Sequence, residues 1–224
     1  MLSLAAFSFC SFAEAAEGSS VFRRLKSGET SISDLGLDHE PVPGEVLNEP
    51  ILDVSTKLEH TDRYMSWQEA QEISGLSDSD MKKVQSLILK INGIITSACK
   101  KAGIDNVDGK FEFGMDPSGK LTVIDVLGTP DECRFMQGDF HISKEFARRW
   151  YRKTPWYSEI EKAKRNFGSD WKTCVKSSPP PLPPDMKRLI SEMYQAVTNE
   201  MTGKKFFSVP PLAEIIGGLK KYDA

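Results

Sequence analysis

The chain has 224 residues, with 29 Lys and Arg against 32 Asp and Glu for a formal charge of −3, and 39% hydrophobic and 9% aromatic positions. That apolar content suffices for a globular core, in one domain or two small lobes, and excludes general disorder. The near-neutral balance argues against a dedicated nucleic-acid binder, which needs a basic surplus to neutralise phosphates.

Residues 1–17 are apolar and end in small residues, like the hydrophobic part of a secretory signal. No Lys or Arg precedes Arg23, and the run is too short to span a bilayer. The expectation is a cytoplasmic chain with a poorly ordered start and no membrane partner. Cys10, Cys99, Cys133 and Cys174 are far apart, with no Cys-x-x-Cys and no paired His. They suggest neither a disulfide framework nor a zinc site.

Gly28, Gly36, Gly44, Pro41, Pro43 and Pro50 punctuate residues 18–65, which therefore read as loops and short extended pieces. Ser66 with Glu69 forms a capping box opening a short helix that stops near Gly75. The next helix runs from Ser77 or Asp78 to Gly103, with Met81, Val84, Ile88, Ile91, Ile95 and Ala98 as one buried stripe. The period then changes to two. Val107, Phe111 and Phe113 alternate with Asp108, Lys110 and Glu112 in a half-buried strand. Asp116 to Gly119 is a turn, and Lys120 to Val126 a second strand, which completes a hairpin. Ser143 can cap a helix carrying Phe146 and Trp150, and another helix covers 156–167. The proline-rich stretch 177–184 is an extended connector, or less simply an SH3-type ligand. Asp185 then opens a helix carrying Met186, Leu189, Ile190, Met193, Val197 and Met201, which ends at Gly203.

The hairpin concentrates chemistry. Asp108, Lys110 and Glu112 share a strand face at about 7 Å spacing, and Asp125, Asp131 and Arg134 follow on the second strand and the loop leaving it. Mg²⁺ takes hard oxygens, usually one or two carboxylates with phosphate oxygens and water. Lys and Arg take phosphates and carboxylates. Spacing alone equally allows a solvated strand face with cross-strand ion pairs. Elsewhere, His39, His60 and His141 are isolated, with His60 a substrate contact or a solvated histidine. Arg148, Arg149, Arg152 and Lys153 beside Trp150 and Trp156 form either a nucleic-acid patch or, more simply, a solvated helix face. Cys133 has no base assigned to it.

Motif content goes further. Asp108-Gly-Lys-Phe-Glu-Phe-Gly114, Val123-Ile-Asp-Val126 and Thr129-Pro-Asp-Glu-Cys-Arg134 closely resemble the heart of the SAICAR synthetase family. Gly18-Ser19-Ser20 with Arg23 resembles its substrate loop, and Pro50 to Asp62, with Ser55-Thr56-Lys57 and Glu59, another of its segments. The late Met193-Tyr194 and Thr202-Gly203 follow the order of archaeal-type members. The resemblance covers roughly residues 18–207.

It implies an α+β chain equivalent to the C-terminal lobe of an ATP-grasp-like fold, with an antiparallel hairpin core and a helical C-terminal part. Residues 1–17 are unmatched, 18–140 carry the substrate and Mg-nucleotide region, and 141–224 are helical. The implied reaction is a ligase step of purine biosynthesis, in which ATP, carboxyaminoimidazole ribonucleotide and L-aspartate give SAICAR through an acyl phosphate. Carried over position by position, Lys110 and Asp125 are catalytic. Asp108, Glu112 and Asp125 hold ATP phosphates, with Glu112 and Asp125 on Mg²⁺. Ser19, Arg23, Lys57, Glu59, Asp62, Asp131 and Arg134 bind substrate. Two departures stand out: Val126 replaces a usual Glu, and nothing matches the family's β-rich N-terminal lobe, its early Gly-Lys or the Arg before the Gly-Ser loop. The expectation is a truncated chain that keeps the substrate half. The alternatives are a non-catalytic module that binds a nucleotide metabolite or makes homo-oligomer contacts, and a kinase-like phosphotransferase, which lacks a catalytic-loop Asp-x-x-x-x-Asn.

Overall fold

The computed structural model describes residues 19–56 and 63–223, together with the backbone of 7–14. The chain divides into two compact units, residues 1–97 with 105–128, and residues 98–104 with 129–224. The strand pair and helices after residue 128 therefore group together, whereas the sequence suggested a division at 140/141.

The first unit contains β1 (Phe7–Glu14), α1 (Ser20–Ser27), β2 (Val46–Thr56), β3 (Tyr64–Met65), α2 (Trp67–Ser74), α3 (Asp78–Lys101), β4 (Asp105–Met115) and β5 (Leu121–Val123). The last turn of α3 falls in the second unit. The antiparallel order is β3-β2-β1-β4, and β5 also pairs with β4. β1 lies between β2 and β4, with Cys10 opposite both Asp53 and Lys110, and Ser8 opposite both Ser55 and Glu112. A segment expected to be poorly ordered thus occupies the middle of this sheet.

Two further expectations for residues 18–65 change. Ser19 caps α1 by accepting from Phe22 N–H, and Gly28 closes it at φ 75°, so eight residues form a helix with Val21 and Phe22 buried. β2 runs for 11 residues despite Pro50. The register against β1 shifts between the Phe12↔Ile51 and Glu14↔Val46 pairs, and β3 pairs only at Val54 and Ser55. Pro50 therefore falls where the ladder is interrupted, the position at which a missing N–H is tolerated. Val21 and Ile51 form a small buried cluster with Leu35, Leu37 and Leu47 packed on it.

α2 and α3 follow the sequence closely. Ser66 Oγ accepts from Glu69 N–H and Gly75 ends α2 in the left-handed region. Met81, Val84, Ile88 and Ile95 are buried along α3, and Asn92 and Cys99 occupy the deepest positions where Ile91 and Ala98 were expected. The reason is polar: Asn92 Oδ1 accepts from Asn106 Nδ2 at 3.0 Å, and Thr96 Oγ1 accepts from the same amide at 3.0 Å, which ties β4 to α3. Gly103, at φ 67°, then lets Ile104 N–H reach back to Cys99 O.

β5 is shorter than the expected second strand. Pairing stops at Val123, one more bond runs from Ile124 N–H to Glu112 O, and residues 123–127 are exposed.

The second unit holds β6 (Cys133–Gln137), β7 (Phe140–His141), α4 (Lys144–Arg152), α5 (Pro155–Phe167), α6 (Trp171–Cys174), α7 (Pro184–Thr202) and α8 (Leu212–Leu219). β6 and β7 form a hairpin. Phe135, Phe140, Ile142, Phe146, Met186, Met193, Leu212, Ile215 and Leu219 are buried in its core. Ser143 caps α4 and Thr154 caps α5, the latter with Pro155 in the first turn. Residues 178–183 carry no helix or strand, and Gly203 ends α7 at φ 65°.

Candidate functional site

Three groups of polar side chains stand out, and each is built by local folding. The first lies on β4. Alternation along the strand places Asp108, Lys110 and Glu112 on one face. The exposed polar face expected there is absent: Glu112 is 2% exposed, and residues 111–114 are all buried. A strand with near-continuous burial is covered on both faces. Glu112 Oε1 sits 3.0 Å from Lys110 Nζ, and the lysine remains one-third exposed. A buried carboxylate beside a partly accessible ammonium leaves the lysine able to meet a further charged group. Asp108 is half-buried. Asp125 lies just past β5, exposed, with its carboxylate accepting from Val126 N–H at 2.7 Å. Among the described residues, no three His, Cys, Asp or Glu side chains are arranged to hold a metal ion.

The second group lines an open cleft of about 980 Å³ between α1, β2, β3 and α2, which includes Arg23, Arg24, Asp53, Arg63, Tyr64 and Trp67. Arg24 and Asp53 form a buried ion pair, and the Arg24 guanidinium also stacks 4.4 Å from the Tyr64 ring centroid. Burial pushes the Asp53 carboxyl above its usual range, and Arg24 only partly offsets that. Arg63 reaches Glu69 at 2.6 Å. Arg23 is exposed at the cleft, whereas Ser19 is 3% exposed with its hydroxyl committed to capping α1. Lys57, Glu59 and Asp62, with His60, lie outside the described residues.

The third group belongs to the second unit. Glu145, 3% exposed, is surrounded by Arg152 at 2.5 Å, Arg148 at 3.7 Å and Arg134 at 3.8 Å. Its Oε2 has no hydrogen-bond partner among the described residues. Three guanidiniums on one carboxylate leave a positive surplus of the kind that binds phosphate or carboxylate groups. The basic run read as a solvated helix face is therefore organised around a buried acid, with Arg149 on Asp223 at 3.6 Å. Burial pushes the His141 imidazole below its ordinary range, and Arg149 and Arg134 push the same way. Asp131 is exposed and accepts from the Tyr194 hydroxyl at 3.2 Å.

Within the first unit, the structure keeps Asp108, Lys110 and Glu112 together and sets Arg23 on a different cleft, the one holding Arg24 and Asp53. Sequence reasoning missed Arg24, Asp53, Glu145 and Tyr194. The spacing of Glu145, Arg148 and Arg152 at i, i+3 and i+7 was a readable signal for a shared helix face. Arg24 with Asp53 left none, since 29 residues separate the partners.

Residues 13–163 match the family model described as SAICAR synthetase. A protein of Archaeoglobus fulgidus described as a putative phosphoribosylaminoimidazole-succinocarboxamide synthase is 46% identical over 205 residues, which are 92% of this chain and 61% of that protein. A Thermoplasma acidophilum phosphoribosylaminoimidazole-succinocarboxamide synthase is 35% identical over 194 residues, 84% of this chain and 64% of its own length. The chain thus spans a little over six-tenths of these relatives. Among solved structures, the Saccharomyces cerevisiae SAICAR synthase complexed with SAICAR superposes with TM-score 0.65 at 22% identity, over 93% of this chain and 64% of that one. A type-2 SAICAR synthetase in complex with ADP gives TM-score 0.57 at 21% identity, over 93% and 67%. At such identities the likeness establishes the fold, which is the α+β architecture read from the motifs.

Proposed function

The chain belongs to the SAICAR synthetase family, and from that membership we propose that it carries out, or supplies the residues for, ATP-dependent joining of L-aspartate to carboxyaminoimidazole ribonucleotide. The observation that carries the reading is the Glu112–Lys110 pair on β4, a buried carboxylate and an accessible ammonium 3.0 Å apart, with Asp108 on the same face.

An amide does not form readily from a carboxylate, because oxide is a very poor leaving group. In the proposed reaction a carboxylate oxygen of the ribonucleotide attacks the γ-phosphorus of ATP and ADP departs. The aspartate amine then attacks the acyl phosphate, and the carbon–oxygen bond to phosphate breaks. The protein's part is positioning and charge neutralisation. Lys110 lies beside the transferring phosphoryl group and offsets its negative charge. Glu112 holds the lysine in place. Glu112 and Asp125 would hold Mg²⁺, which when bound would supply the remaining neutralisation of the phosphate oxygens. That ion commonly takes one or two protein carboxylates and completes its shell with phosphate and water, a donor set that two carboxylates would satisfy. Arg23 and Arg134 bind the ribonucleotide's phosphate and carboxylate by charge-assisted hydrogen bonds. By the family resemblance Lys57, Glu59, Asp62 and Asp131 are further substrate-binding candidates, and Ser19 contributes through the helix it caps.

The test supplies the purified chain with ATP, Mg²⁺, carboxyaminoimidazole ribonucleotide and aspartate, and follows ADP and the succinocarboxamide. Turnover that falls by about 100-fold or more in Glu112→Gln and Asp125→Asn is expected, the scale of losing one preorganised charge at a phosphoryl-transfer site. Turnover unchanged by both substitutions sinks the assignment of these carboxylates. Ligand binding without turnover leaves the binding-module alternative.

A further inference from the structure

The loop that carries Asp131 is fixed by its backbone. Cys133 N–H donates to Thr129 O at 2.9 Å, and Lys144 N–H donates to Pro130 O at 3.0 Å, so both the start of β6 and the start of α4 hold it. The Asp131 side chain is nevertheless exposed, and its hydrogen-bond partner among the described residues comes from far along the chain: Tyr194 on α7, whose hydroxyl lies 3.2 Å from Oδ1 across 63 residues of sequence. α7 is itself anchored, with Met186 and Met193 fully buried and Leu189 packed close to Gly218 of α8. Tyr194 therefore stands on a helix anchored along its buried face, and its own side chain is half-buried. Burial, reinforced by the adjacent carboxylate, drives its phenol well above the ordinary tyrosine range. It stays protonated at neutral pH and can only donate to Asp131.

A surface carboxylate usually samples several rotamers. Pinning one oxygen fixes the direction in which the other accepts, and so selects a ligand group that donates. We propose that Tyr194 is a positioning residue: it orients Asp131 so that the free carboxylate oxygen accepts an N–H or O–H donor of the imidazole ribonucleotide, its ring amine or a ribose hydroxyl. The inference rests on the functional reading above, which already gives Asp131 to the substrate, and deepens it by naming the residue that aims that carboxylate. Tyr194 touches no substrate and acts through Asp131.

The experiment is a double-mutant cycle on binding, carried out on the full chain by calorimetric titration with 5-aminoimidazole-4-carboxamide ribonucleotide, which keeps the amine and ribose and lacks the reacting carboxylate. ADP titration and thermal melts serve as controls. Tyr194→Phe keeps the ring and removes one oxygen. It should weaken the ribonucleotide by about fivefold to tenfold, the net scale of one ordinary hydrogen bond, and leave ADP affinity and Tm unchanged. Asp131→Asn should weaken it as much or more, and adding Tyr194→Phe to it should cost nothing further. Wild-type affinity in Tyr194→Phe overturns the inference. So does an equal loss in the Asp131→Asn background, or a parallel loss of ADP affinity, since both mark a merely structural role. If the wild-type chain does not bind the ribonucleotide at all, the functional reading falls and this inference with it. Binding that Tyr194→Phe leaves intact removes the inference alone.

Discussion

Arg24 and Asp53 show how much one pair of residues can hold at stake. Each is nearly excluded from solvent, and burial alone pushes the Asp53 carboxyl upward. Arg24→Ala leaves that carboxylate buried without its partner, which costs about 3–5 kcal/mol. Replacing both by Arg24→Met with Asp53→Leu should cost markedly less. Urea unfolding of the two variants checks the order, and a double variant worse than Arg24→Ala would refute it. His141 makes a different kind of prediction. Its ring is held below the ordinary value of 6.5, so the unfolded chain binds a proton before the folded one does. Stability is therefore undiminished above pH 6.5 and declines as pH falls below it, levelling off under the folded-state value. His141→Gln should remove that slope, read as the urea midpoint between pH 8 and 5. Asp185, pulled down to about 2 by Lys221 and Arg188, loses its contribution in another window, as pH drops from 3.8 towards about 2. The two effects are separable on one pH series. The Arg24–Asp53 and Lys221–Asp185 pairings were not readable from sequence, because 29 and 36 residues separate the partners, whereas Asp185 and Arg188 stand at a helical i, i+3 spacing.

At the level of elements, legibility followed the local signals. Helix α2 is announced by its capping box and closing glycine, and the structure uses both. Ser66→Ala removes the acceptor for Glu69 N–H and should cost about 1 kcal/mol. Thermal unfolding measures this, and an unchanged Tm would show that the cap carries little of α2's stability. α3, α4, α5 and α7 were likewise visible, from a 3.6-residue apolar period, a Ser or Thr cap, or a glycine stop. β1, α1 and the length of β2 were not. α1 is eight residues long, too short to hold itself in water, and it stands because Val21 and Phe22 are buried and Arg24 meets Asp53. β2 contains a proline that reads as a breaker until the shift in its register against β1 is known. β5 stops at Val123 although the β-branched run continues, which shows that propensity does not set a strand's end when no neighbour extends the ladder.

For the whole molecule, each of the two units has its own buried core, and the first carries two of the three charged groups. The family chemistry asks for a nucleotide as well as a ribonucleotide. If Glu112 and Asp125 meet the phosphates of a bound nucleotide through Mg²⁺, Mg²⁺-ADP at about 100 times its Kd should stabilise the folded chain by about 2.7 kcal/mol. A raised Tm in wild type that is lost in Glu112→Gln is the expected outcome, and equal shifts in both would place the nucleotide elsewhere. No helix among the described residues is long and apolar enough to cross a membrane. The sequence by itself determined the family and most helices, because those rest on contiguous motifs and on a period of 3.6 residues. Only the tertiary structure decided that Glu112 is buried against Lys110, that Arg24 closes on Asp53, that Glu145 gathers three arginines and that Tyr194 reaches Asp131. Burial depth and long-range pairing depend on which surfaces the folded chain covers, and no local stretch of residues encodes that.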